Sequence, residues 1–195
     1  MTTRLFLVRH GATVLSAEDR FAGSTDVELS DAGRRQAAAL ATRLEAEPIA
    51  AVYASPMRRT VETASIVAAP HRAEPVTLAG LREIDHGHWE GLNRAEVEAR
   101  FPAEYARWEA DPFTFAPAGG EAGIHVLARA LPVIRELVER HGDATVLVIS
   151  HKATIRLLIS SLLGFDARGY RDRLDQSPAA LTILDFASVT RARLR

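Results

Sequence analysis

The chain has no cysteine. That absence removes thiol nucleophiles, disulfide staples and zinc–thiolate sites. It leaves the compartment undecided, because such a chain survives in either redox environment. Long apolar runs are missing as well. The N-terminal LFLV is cut short by Arg9, too brief for the hydrophobic stretch of a secretion signal. No run approaches the ~20 residues that span a bilayer. Neither charge sign dominates: 24 Lys and Arg stand against 25 Asp and Glu, for a net charge of −1. A broad basic footprint for nucleic acid or for an anionic membrane is therefore not indicated, and anion recognition has to be local. No repeat, low-complexity tract or linker divides the sequence. What remains is ordinary globular composition, 195 residues with 47% hydrophobic and 25% charged, enough for one substantial core. The expectation is a single domain over 1–195, cytoplasmic, with no nucleic-acid or membrane partner and with a homodimer left open.

Several segments read as secondary structure. Strands are expected at 4–9, 50–55, 75–79, 145–150 and 179–186. TVLVIS (145–150) is continuous and β-branched, as in a strand buried on both faces. Helices are expected from the Ser30 cap to about 47, over 57–69 before Pro70, over 93–110 with a break at Pro102, from 124 to about 141, and over 153–163. Strands alternating with helices predict a three-layer α/β/α sandwich with a mostly parallel central sheet. Ligands of such sheets collect beyond the carboxyl ends of the strands.

The residues that follow the strands are unusual. LFLV leads into Arg9-His10-Gly11, AAVYA into Ser55 and Arg58-Arg59, VTLA into Arg82-Glu83, and TVLVIS into His151-Lys152. If the strands are parallel neighbours, these groups converge on one pocket of arginines, histidines and a glutamate. Arginine's planar fork fits phosphate oxygens and keeps its charge when desolvated. A neutral imidazole can attack phosphorus, and nearby arginines favour the neutral form. A carboxyl group can pass a proton to a leaving oxygen and take one from water. Main-chain N–H groups at the helix after His151 would add to the anion hole. Arg58, one position from Arg59, reads as a surface residue. Trp89 and Trp108 read as packing, and His71, His125 and His141 as surface residues. Asp85-His86-Gly87-His88 raises a metal site, but no further ligand cluster lies nearby in the sequence, so neither metal nor cofactor is expected.

Five ordered blocks carry a resemblance. They are Arg9-His10-Gly11-Ala12-Thr13; Phe21, Gly23, Asp26, Leu29 and Gly33 with Gln36-Ala37; Ser55, Arg59, Thr63 and Ala64; and LREIDHGHWEG at 81–91, followed by VLVISH ending at His151. The chain resembles the histidine phosphatase (phosphoglycerate mutase-like) superfamily over essentially its whole length. The resemblance implies His10 as a phosphorylated nucleophile, Glu83 as acid/base, and Arg9, Arg59 and His151 as holders of the phosphoryl group. It implies a metal-independent phosphatase acting on a small phosphorylated metabolite. Gly11, Thr13, Ser16, Ala22, Gly23 and Lys152 become candidate substrate contacts on the rim.

Departures from the family pattern fall on that rim. Ala12 and Ser16 stand where the family often has Glu and Asn, Ser24 where it often has Trp, Ala122 where it has Ser, and Lys152 where it usually has Gly. Lys152 has two readings: a solvated or paired side chain, with Glu121 as a loop partner, or a contact to a second acid group on the substrate. The mutase branch carries a longer insertion with paired arginines; here that region is the compact ARFPAEYARWEADPF. This favours a phosphatase over a cofactor-dependent phosphoglycerate mutase. A non-catalytic phosphate-binding module on the same fold is the third reading, and it would be expected to lack His10 or Glu83.

Overall fold

The computed structural model describes residues 2–195. Its strands are β1 (Thr3–Arg9), β2 (Ile49–Ala54), β3 (Val76–Thr77), β4 (Thr145–Ser150), β5 (Leu181–Ser188) and β6 (Arg191–Leu194). They form one sheet in the order β3-β2-β4-β1-β5-β6. The first four run parallel to their neighbours, and β5 and β6 are antiparallel additions at one edge. The helices are α1 (Val14–Ala17), α2 (Asp31–Leu44), α3 (Arg58–Ala68), α4 (Arg94–Arg100), α5 (Pro102–Ala110), α6 (Gly123–Arg140), α7 (Lys152–Leu163) and α8 (Tyr170–Arg173).

Alternation along the central strands builds the layers. On β1, Leu5 and Leu7 face one side while Phe6 and Val8 face the other; on β4, Val146 and Val148 oppose Leu147 and Ile149. The first set packs with Ile134 and Leu137 of α6 and Ile155 and Leu158 of α7. The second packs with Ala37 and Leu40 of α2 and Ala64 and Val67 of α3. Helices thus cover both faces, and continuous apolar runs such as LFLV and TVLVI are what a doubly covered strand requires. The α/β/α sandwich expected from the sequence is the fold observed.

Local signals mostly act where expected. Ser30 caps α2, its Oγ accepting from the Gly33 amide at 3.1 Å. Pro102 opens α5, and the break falls at Phe101. The strand expected at 75–79 contracts to Val76–Thr77, an exposed edge paired only with β2. The last strand turns back into an antiparallel β6, whose RARL alternates arginine with an apolar residue over only four positions, too few to announce a strand. His141 is half-buried rather than on the surface, its Nε2 lying 2.8 Å from the Tyr53 hydroxyl.

The start of α2 is pressed against the turn after β1. Ser30 N and Oγ both donate to the Ala12 carbonyl, at 2.9 and 3.0 Å. The approach is close enough that a Cβ on Gly33 would lie 2.1 Å from that oxygen, and one on Gly11 2.5 Å from the Gly33 oxygen. Both contacts are with backbone, which cannot swing aside. Overpacking of this kind costs about 1–3 kcal/mol. Gly33→Ala should lower Tm by roughly 5 °C for a chain of this size. A thermal melt checks this, and an unchanged Tm would show that the helix start is not held against the turn.

Candidate active site

Strand register sets the centre of the site. Arg9 pairs with Ser150 across the β1–β4 ladder, and the His10 amide donates to the Ser150 carbonyl at 3.0 Å. The next residues, His10 and His151, therefore meet, with ring centroids 5.2 Å apart. On the other flank of β4, Ala54 pairs with Ile149, and Ser55 Oγ lies 2.8 Å from His151 Nε2. Both histidines are buried, as are Arg9 and Arg59.

Geometry fixes the tautomer of His10. Its Nδ1 lies 2.7 Å from the Gly11 carbonyl oxygen, which can only accept. Nδ1 therefore carries the proton, and Nε2 keeps its lone pair. Burial, then the charges of Arg59 and Arg9, push the ring's pKa well below 6.5, against the pull of the Gly11 bond. His151 is displaced the same way, by burial first and then by Arg59. Its Nδ1 is buried without a protein partner, and so is Arg9 Nε. Arg9 Nη1 is anchored on the Gln176 carbonyl at 2.7 Å.

Arg59 projects from the first turn of α3 beneath the loop after Phe21. Its Nη1 donates to the Thr25 carbonyl, and its Nη2 to the carbonyls of Ala22 and Gly23, at 2.9–3.1 Å. Glu90 holds the same loop from the opposite side. It accepts from the amides of Gly23, Ser24 and Thr25, from the Thr25 hydroxyl at 2.6 Å, and from the His86 amide. Burial alone would raise the Glu90 pKa; the bonds from Thr25, His86 and Gly23 outweigh it, and the net shift is downward. In the sequence Glu90 is one letter of the LREIDHGHWEG block, with nothing to say that it ties this loop.

Glu83 is positioned by two devices. Arg129 gathers the carbonyls of Gly80, Arg82 and Glu83 at 2.8–3.0 Å while pairing bidentately with Glu121. The Glu83 carboxylate accepts from the amides of Ala153 and Thr154, at 3.1 Å each, and has the Thr154 hydroxyl 3.0 Å away. This corrects two expectations. The amides that open α7 do not line an empty anion hole, because the site's own carboxylate already accepts from them. Glu121 does not pair with Lys152, because Arg129 occupies it.

These groups open onto a cleft of about 380 Å³ beyond the carboxyl ends of the parallel strands. Arg9, His10, Thr13, Ser16, Ala22, Arg59, Glu83 and Lys152 all line it. His151 lies immediately behind His10. Gly11 and Gly23 are not in its wall: the Gly11 amide donates to Thr63 Oγ1, and Gly23 belongs to the clamped loop. The Ser16 hydroxyl is already used in a reciprocal cap with Thr13, so it serves the α1 turn. Trp108, expected as packing, does pack with Phe21 and Trp89 but also forms part of the wall. Arg156, Arg171 and Arg94 line the outer cleft too. Sequence reasoning missed them, since none follows a strand or belongs to a quoted block. Asp85 accepts from the Gly87 amide, and His88 pairs with Glu104 at 3.0 Å. Among the described residues no group of three His, Cys, Asp or Glu is gathered for a metal ion. Arg58 is exposed and pairs with Glu28, as a surface residue would.

The family model described as histidine phosphatase superfamily (branch 1) matches residues 5–193. The chain belongs to that superfamily. Among curated relatives of this histidine phosphatase is phosphoserine phosphatase 1 of Hydrogenobacter thermophilus, 35% identical over 84% of this chain and 77% of that protein. Another is glucosyl-3-phosphoglycerate phosphatase of Mycolicibacterium vanbaalenii, 35% identical over 83% of this chain and 74% of that one. A solved mycobacterial glucosyl-3-phosphoglycerate phosphatase, complexed with VO3, superposes with a TM-score of 0.89 at 31% identity, covering 98% of this chain and 96% of that one. Within the family, this chain is a phosphoric monoester hydrolase. No helix among the described residues is long and apolar enough to cross a membrane.

The two buried rings make stability depend on pH. Unfolded histidine takes a proton near 6.5, whereas folded His10 and His151 resist it. As pH falls the unfolded state binds more protons, so stability rises with pH. Their contribution is complete above pH 6.5 and is lost below it, by about 1.4 kcal/mol per pH unit per ring. Denaturant midpoints between pH 6.5 and 5, in phosphate-free buffer, should fall less steeply for His10→Asn than for wild type. Equal slopes would mean that the ring is not held neutral.

Proposed function

We propose that the chain hydrolyses small phosphorylated metabolites through a phosphohistidine formed on His10, without a metal ion. The observation that carries this reading is the His10–Gly11 bond, which leaves Nε2 as a neutral lone pair between Arg9 and Arg59. In the first step Nε2 bonds to phosphorus as the ester P–O bond breaks. Glu83 passes to the leaving oxygen the proton that arrives with the phosphomonoester monoanion. In the second step water attacks phosphorus, the Glu83 carboxylate takes its proton, and the P–N bond breaks to release phosphate. Charge on the transferring group is met by Arg9 and Arg59, which remain guanidinium ions. With the Ser55 hydroxyl donating to His151 Nε2, the orphaned Nδ1 becomes a donor toward a phosphoryl oxygen. The two arginines supply the electrostatic stabilisation that a metal often gives to phosphoryl transfer. The relatives' phosphatase names and the compact 99–113 segment favour hydrolysis over mutase transfer. The reading keeps the cytoplasm as its setting, where phosphorylated metabolites are made and used.

Labelled substrate quenched without acid should leave an acid-labile, base-stable phosphoenzyme. His10→Ala should abolish both label and turnover, and substantial residual turnover would remove His10 from the role. Glu83→Gln keeps shape but loses the transferable proton, so alkyl phosphates should slow on the order of a hundredfold to ten-thousandfold. Nitrophenyl phosphate, whose leaving group needs little protonation, should slow much less. An equal loss on both substrates would make Glu83 structural. Activity should persist in EDTA; reversible loss there would point to a metal.

A further inference from the structure

α7 begins with charges placed against its own interest. Lys152 and Arg156 stand four residues apart, on one face, and both line the cleft. Like charges at that spacing repel. Lys152 is also the first residue of α7, at the positive end of the helix dipole, where cations are disfavoured. Arg156 is nevertheless only 9% exposed. Its Nε has no hydrogen-bond partner, and its Nη2 reaches Asp175 at 3.5 Å, a side chain 78% exposed. Lys152 is half-buried and feels the repulsion of Arg156 and Arg9 ahead of any attraction from Asp175 or Asp19. Arg171 also has Nε and Nη1 buried without a hydrogen-bond partner, but, like Arg20, it has other compensation that Arg156 lacks. Arg20 is held by Glu18 and Glu96. Arg171 lies 3.7 Å over the Trp108 ring and 3.1 Å from Glu109. Among the described residues, Arg156 and Lys152, on the same cleft wall as Arg9, have neither an aromatic ring beneath them nor a carboxylate closer than 3.5 Å.

We propose that Arg156, flanked by Lys152, is a second anion subsite that takes an acidic group at the far end of the phosphomonoester. The proposal rests on the reading that the phosphoryl end lies at His10, Arg9 and Arg59. Arg156 and Arg9 line the same cleft of about 380 Å³, so the two acidic groups belong to one small molecule. The guanidinium fork accepts a carboxylate or a phosphate in two-point contact, and the lysine adds an adjustable point charge. Such an anion would turn three unfavourable features of α7 into binding interactions at once. A phosphomonoester with a neutral tail would leave them as they are. The substrate class is therefore a small phosphomonoester carrying a second negative group.

3-Phosphoglycerate and glycerol 3-phosphate share a carbon skeleton and a phosphoryl end, and differ by a carboxylate against a hydroxymethyl group. Propane-1,3-diol bisphosphate and its monophosphate pose the same question for a second phosphate. Wild type should favour the acidic member of at least one pair by roughly tenfold to a hundredfold in kcat/KM, the worth of hydrogen bonds to a charged group. The favoured pair identifies the anion. Arg156→Met should collapse that ratio, Lys152→Met should reduce it severalfold, and added salt should shrink it. No preference in either pair, or a preference that survives Arg156→Met, overturns the proposal. Should Arg156→Met not fold, Lys152→Met carries the test, and an unchanged ratio there overturns it. Absence of turnover on all four compounds would instead sink the phosphohistidine reading. They are then stable ligands, and their calorimetric affinities give the same two ratios.

Discussion

Two arginines and two histidines packed together out of water cannot all carry a proton. That constraint organises the site. The arginines keep their charge because guanidinium is too basic to lose it, so the imidazoles give theirs up. The chain makes this tolerable by spending part of each arginine on backbone carbonyls: Arg9 on Gln176, Arg59 on Ala22, Gly23 and Thr25. What stays unspent, Arg9 Nε and His151 Nδ1 among them, is a set of buried polar nitrogens with no protein partner. A buried donor without an acceptor is costly, and a phosphoryl group supplies acceptors of the right kind. The same arrangement that weakens the empty protein prepares it for an anion.

Holding such a cluster requires support from outside it. Glu90 is that support on one side. It binds the loop that Arg59 also binds, so a buried arginine and a half-buried glutamate compensate one another through backbone instead of through a direct ion pair. Arg129, paired directly with Glu121, holds the Gly80–Glu83 segment through its carbonyls. The α7 amides then orient the Glu83 carboxylate. Side chains of the proposed reaction are therefore fixed mainly by residues outside the cleft wall. An error of about 1 Å in their placement would be expensive for in-line chemistry.

The sequence determined much of this alone. Apolar runs with no polar alternation required strands covered on both faces, which made a layered α/β fold the natural outcome. Basic and acidic residues at the ends of those runs marked one edge of the sheet as the site. The tautomer of His10, the burial of Arg59 and the loop clamp at Glu90 were not legible, because each depends on contacts between residues far apart in the chain. Strand order decided most of it. With β4 inserted between β1 and β2, His151 meets both His10 and Ser55, and no local pattern encodes that insertion. The amides at the start of α7 looked free in sequence and are occupied in the structure, since only folding brings Glu83 to them. Arg156 makes the same point from the other direction. It sits mid-helix among apolar residues and reads as a helix-face cation, until tertiary packing buries it against the cleft with too few partners. Periodicity and chain ends are local properties that a sequence carries. Desolvation and the pairing of distant charges belong to three dimensions, and only the tertiary structure decides them.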